Sequence, residues 1–139
     1  MESDFNGISK ELVWCDRKAF PYEEIKQQAE CALWQEYSNR NWIAVRYPFT
    51  LGKDDYTKRL LFYVEHTMKS IPMNIDNLDY QIGYIRSDEA GKFLAFLVDK
   101  DVRGAYSINT EKANALGFRF SILQDWIYEL LDYYIQMVC

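Results

Sequence analysis

The residues best suited to chemistry are Tyr22 and Lys26, four apart in a segment rich in helix formers. At that spacing two side chains share one face of a helix. A free phenol titrates near 10, too high for a good base at neutral pH. An ammonium beside it favours the phenolate, which makes the phenol a usable general acid/base. Glu30 continues the stripe by one more turn. Further along, Arg59 offers a planar guanidinium that suits an anion such as phosphate, or an ion pair with a neighbouring acid on a wet face. Asp54 and Asp55 are paired acids, but capping alone explains Asp55. His66 is the only histidine. With no second histidine and no Cys cluster, neither a zinc site nor a Ser-His triad can be built, so no metal is expected.

These side chains need elements to hold them. Pro21 suits a helix start, and the segment to about Tyr37 is rich in Glu, Gln, Lys, Ala and Leu. Its apolar residues Ile25, Ala29, Ala32 and Leu33 recur at helical spacing, and Ser38 to Asn41 ends it. Trp42 to Val45 is a short apolar run that fits a strand covered on both faces. A loop at Gly52 leads to Asp55, the expected N-cap of a helix from about Tyr56 to Met68. Ile71 to Tyr80 reads as loop and Gln81 to Ile85 as a short strand. Ser87 is the expected cap of a helix ending near Lys100, with Asp88 and Glu89 facing its N-terminal dipole. Gly104 to Ile108 reads as a strand, and a short helix from Thr110 closes at Gly117. Ser121-x-x-Gln124 has the form of a capping box. The last helix carries the stripe Leu123, Trp126/Ile127, Leu130/Leu131 and Tyr134, read as core or subunit contact. Helices alternating with short strands give an α/β class.

Length and composition bound the rest. At 139 residues the chain fits a single domain, 1–139, with a real core. Aromatic residues at 17% mean that packing leans on rings. A net charge of −5 argues against nucleic-acid binding. Acids interrupt every long apolar stretch, so no membrane span is expected. The start, Met1-Glu-Ser-Asp, lacks the pattern of a signal peptide. Cys15, Cys31 and Cys139 form no CxxC pair, and reduced thiols in a cytoplasm are the simplest reading.

The order of these features resembles the second half of the extended short-chain dehydrogenase/reductases, the NAD-dependent epimerase/dehydratase family. The resemblance is carried by Tyr22-x-x-x-Lys26-x-x-x-Glu30, then by the Trp42 strand running into Arg46-x-Pro48, then by Gly52 with Asp54-Asp55. Ser87-Asp88-Glu89-Ala90 opening a helix after a strand, Leu116-Gly117-Phe118, and the closing segment Trp126 to Tyr134 complete it. It covers roughly residues 20–136. The fold it implies is an incomplete Rossmann-like portion, the catalytic helix and its following parallel strand, with a small helix-rich α/β substrate-side region. The implied cofactor is NAD or NADP. Tyr22 is then the acid/base on a substrate oxygen during hydride transfer, with Lys26 holding the nicotinamide ribose. Pro48 lies beside the cofactor, and Arg59 contacts a sugar-nucleotide-like or other carbonyl or hydroxyl substrate.

Three departures accompany the resemblance. Gly7 is the only glycine before Gly52, so no G-x-x-G-x-x-G turn forms. Ser9, thirteen residues before Tyr22, is the one upstream serine near the place of the family's catalytic hydroxyl, and it reads as a surface serine. The chain also passes quickly from Gly104–Ile108 into its terminal segment. The expectation is therefore a chain that is inactive and binds no NAD(P) by itself. Its expected partner is a cofactor-binding half or a second copy, because an open strand edge and helix face invite association. The alternative is a non-catalytic soluble interaction module or a truncated remnant of the family.

Overall fold

The computed structural model describes residues 5–14, 16–75, 77, 79, 81–101, 104–107 and 110–139, and side chains at all of these except 17 and 104–107. The architecture is α/β and helix-rich. Contacts group the chain into two compact units, Met1–Arg46 with Asp101–Ser107, and Tyr47–Lys100 with Ile108–Cys139.

In the first unit, α1 spans Tyr22–Gln35. Pro21 stands at its N-cap position, where the missing N–H costs nothing. Glu23 and Glu24 lie in the first turn, favourable against the helix dipole. The helix buries Gln28, Cys31 and Ala32. Residues 5–14 lie along this face without regular structure, tied by side chains. Gln28 donates to the Glu11 carbonyl (3.1 Å) and accepts the Val13 N–H (2.9 Å). Gln35 donates to the Gly7 and Lys10 carbonyls. Gly7 is a packing glycine: a Cβ there would lie 2.5 Å from the Trp34 ring. The strand β1, Ile43–Arg46, starts one residue later than the apolar run suggests and pairs in parallel with β4, Gly104–Ser107. Ile108, expected in β4, lies outside the described residues. β1 is half-buried along its whole length rather than covered on both faces.

In the second unit, β2, Phe49–Leu51, pairs in parallel with β3, Tyr84–Arg86. The sequence reading assigns no element to Phe49 to Leu51, since three residues carry no visible period. The helix α2 runs Arg59–Met68 and starts three residues later than expected. The delay has a local cause. The Asp55 carboxylate accepts the Thr57 N–H and hydroxyl, and Lys58 turns left-handed at φ 54, so residues 55–58 form a turn. Asp55 still accepts the Arg59 N–H, from three residues before the cap position.

The helix α3 is Ser87–Val98, and Ser87 is its first residue rather than its cap. The short helix α4 is Thr110–Ala115, closed by Gly117 at φ 91 as its sequence signal predicts. The helix α5 is Ile127–Val138. The expected Ser121 box is not the one formed. Ile122 N–H donates to the Asp125 carboxylate at 3.2 Å, while the Ser121 N–H donates to Glu89.

The core of this unit joins Leu51, Leu61, Val64, Trp126, Leu130 and Tyr134, so the terminal stripe is core. A second aromatic nest packs Phe93 against Phe118, tilted, and Phe120, edge to face, both at centroid distances of 5.0 Å. Gly52 is the tightest point. Tyr134 hydroxyl donates to its carbonyl at 2.6 Å, and a Cβ on Gly52 would fall 2.1 Å from Ser87 Oγ and 2.9 Å from Ser87 Cβ. Gly52→Ala is expected to lower stability by about 1–3 kcal/mol in urea unfolding, through overpacking. Ser87→Gly should restore part of that loss. A double variant as unstable as the sum of the two singles would exclude the clash as the cause.

Candidate functional site

Tyr22 and Lys26 come together as the sequence reading anticipates. The Lys26 ammonium lies 5.3 Å from the centroid of the Tyr22 ring, over its face. Both side chains are on the outer surface of α1, and Tyr22 is 65% exposed. Glu30, two turns on from Tyr22, is engaged in a different way. Its carboxylate takes both arms of the Arg46 guanidinium, Nε at 2.8 Å and Nη2 at 2.5 Å. The two side chains are only 15% and 18% exposed, so this fork-to-fork pair is partly desolvated. Phe5 lies against the guanidinium, 5.3 Å from ring centroid to Cζ.

Two contacts fix how α1 lies on β1. Glu30 meets Arg46, and Trp34 meets Trp42 edge to face at 4.8 Å. Partners that move toward lower numbers on one element and higher numbers on the other mean that α1 and β1 run in opposite directions. Tyr22, eight residues before Glu30, therefore projects past the carboxyl end of β1 by about 12 Å, at 1.5 Å rise per residue. Outside the carboxyl ends of parallel strands is where open α/β sheets take their ligands.

The remaining predicted residues belong to the second unit. Pro48 sits between Arg46 and β2, packed close to Gly83, where a Cβ would lie 3.3 Å from the proline ring. Its neighbour Tyr47 is the middle residue of Arg46-x-Pro48 and donates its hydroxyl to the Ala90 carbonyl at 2.7 Å. Burial pushes the Tyr47 phenol up to about 12. Arg59 opens α2 with its guanidinium over the Phe49 ring, 5.3 Å from the centroid. Among the described residues no carboxylate lies within ion-pair distance of Arg59 or of Lys58, and the neighbouring acid that feels the Arg59 charge is Asp55, without direct contact to the guanidinium. Instead Arg59 stands on the wall of a cleft of about 490 Å³ bounded by β2, β3, α2 and the start of α5.

The other candidates resolve more simply. Asp55 is a turn former whose carboxyl is held below its usual range by the bonds from Thr57 and Arg59. Ser9 is exposed and bonded to its own turn, hydroxyl to the Asn6 carbonyl. His66 meets the Phe62 carbonyl at 2.8 Å and packs at a tilt on the Phe62 ring. Among the described residues no group of three His, Cys, Asp or Glu side chains is placed to hold a metal, and no helix is long and apolar enough to cross a membrane.

NAD or NADP, which the resemblance implies, meets a fitting end and an unfitting one. A phenol and an ammonium side by side on an open face suit the nicotinamide ribose. The one glycine ahead of Tyr22, Gly7, is taken up in packing on Trp34 and is not free to cradle a pyrophosphate. Compared with known proteins, the chain matches no family model, no curated protein and no solved structure.

The cleft walls were missed at the sequence level. Phe49 and Tyr84 become neighbours only through the β2–β3 register, and nothing local announces a parallel pairing across 35 residues. Tyr47 was also passed over, as the variable residue of a motif. Its phenol has a raised pKa, so the stability it contributes is complete below pH 10 and is lost as pH rises toward 12. A phenolate absorbance titration of the wild type minus Tyr47→Phe should show one phenol titrating near 12. A difference curve centred near pH 10 would contradict the buried hydrogen bond.

Proposed function

We propose that this chain is the catalytic-helix and substrate-side portion of an NAD(P)-dependent oxidoreductase or epimerase acting on a carbonyl or hydroxyl compound. The observation that carries the reading is Tyr22 with Lys26 beside it, on the turn of α1 that overhangs the carboxyl end of a parallel strand. Tyr22 gives a proton to the substrate oxygen in reduction and takes it back in oxidation. Lys26 would hold the ribose hydroxyls of a bound cofactor, and it keeps a positive charge near the phenol. The Glu30–Arg46 fork fixes the rotation and height of the helix on β1, so it positions the pair without touching substrate. The nicotinamide, when bound, supplies or accepts the hydride.

The missing pyrophosphate cradle makes this chain dependent on a glycine-rich segment supplied from elsewhere. Calorimetric titration of the chain alone with NADH is expected to show no tight binding. Hydride transfer is expected when a glycine-rich cofactor-binding half is added, read as NADH consumption with a panel of aldehydes and ketones. In that complex Tyr22→Phe should lower kcat by about 10²–10⁴-fold, the usual weight of a general acid. The KM for NADH should change little. Full activity in Tyr22→Phe would remove the tyrosine from the chemistry.

A further inference from the structure

The cleft beside α2 has its own chemistry, and all of its walls belong to the second unit. Its volume of about 490 Å³ is that of a pocket for a small molecule. Phe49, Ile82 and Tyr84 line one side, and Leu123 and Ile127 another. Phe49, Ile82 and Tyr84 are each more than 40% exposed, so the apolar surface is open rather than collapsed. An open apolar concavity of this kind marks a binding surface more often than an idle one.

The polar groups on the wall are selective. Among the described residues no carboxylate and no amide lines the cleft, and the charged groups there are Lys58 and Arg59, both cationic. The Thr57 hydroxyl is already given to Asp55. Arg59 rests on Phe49 through its flat face, which leaves its N–H edges for an anion. Lys58 is held left-handed at φ 54, a conformation disfavoured for a residue with a Cβ. Strained residues of this type gather at ligand clamps.

We infer that this cleft binds an amphipathic anion, an aromatic or acyl-chain body seated on Phe49, Ile82 and Tyr84 with its one carboxylate or sulfonate-like group at Lys58 and Arg59. A sugar nucleotide is the wrong shape of chemistry here. Its many hydroxyls would meet apolar wall and lose their water without a replacement partner. The inference does not rest on the Tyr22 reading, because none of its residues comes from α1.

The test uses the whole chain and two fluorescent probes of one ring system: 1-anilinonaphthalene-8-sulfonate, which is anionic, and N-phenyl-1-naphthylamine, which is neutral. Both are expected to bind saturably at one site. Arg59→Gln should weaken the anionic probe about tenfold or more and leave the neutral probe within about twofold, the pattern of one lost charge-assisted contact. Ile82→Trp fills the cleft from an exposed position and should weaken both. Decanoate should displace the anionic probe, and UDP-glucose should not. Far-UV circular dichroism checks that each variant is folded.

The inference is overturned by non-saturating fluorescence, by equal loss of the two probes in Arg59→Gln, or by displacement with UDP-glucose but not decanoate. It is also overturned if sedimentation shows a dimer that Ile82→Trp breaks, since the cleft would then be where a second copy sits. Loss of decanoate binding with Tyr22-dependent hydride transfer intact would reject this inference alone.

Discussion

Parallel pairing is the constraint that organises this chain. Two parallel strands cannot be joined by a tight turn, so each pair encloses a crossover. Between β2 and β3 the crossover holds α2, which packs on α5 through Leu61, Val64, Leu130 and Tyr134. Between β1 and β4 the chain makes a far longer excursion, through Tyr47 to Lys100. A sheet of two strands has little stability of its own. Each pair must therefore borrow rigidity from side chains outside the ladder. For β1 that comes from the Glu30–Arg46 fork and the Trp34–Trp42 contact. For β2 it comes from the Gly52 junction, where strand end, α3 start and the Tyr134 hydroxyl converge.

These supports are unequal in kind. The Gly52 junction depends on absence of a side chain, and its hydrogen bond is buried. The Glu30–Arg46 fork depends on charge in a partly wet place. Removing one partner of such a pair leaves the other poorly solvated, which costs more than the pair itself contributes. The fork therefore acts as a register device: it sets which turn of α1 stands opposite the end of β1. That turn decides where Tyr22 falls.

What was legible in the sequence follows from how local its cause is. The 3.6-residue period gave α1 to within about two residues and the body of α5, because the signal repeats over many turns, although α5 begins at Ile127 rather than after Ser121. The Gly117 closure was legible because a left-handed φ has a residue-type cost that acts on the spot. Starts of helices were less so. Asp55 and Ser87 are good caps by type, but Asp55 spends its carboxylate on Thr57 and the helix begins after Lys58. Tyr22 and Lys26 were found because one helix carries both. The Glu30–Arg46 partnership was invisible, although both residues were noted, since it joins two elements whose packing the sequence does not state. The cleft was invisible for the same reason, with each wall supplied by a different element.

The exposed pair on α1 has the reactive groups of an acid/base site without the enclosure of one. Proton transfer gains most when water is kept away and the field of the neighbouring charge acts through a low dielectric. Tyr22 is 65% exposed, so its hydroxyl stands in water. The Lys26 ammonium over the ring face holds the lysine close at small cost, as a cation–π contact does on a surface. It keeps the pair assembled while leaving the hydroxyl open. Whatever covers this face therefore has two effects at once: it removes solvent from the phenol and strengthens the effect of a charge already in place.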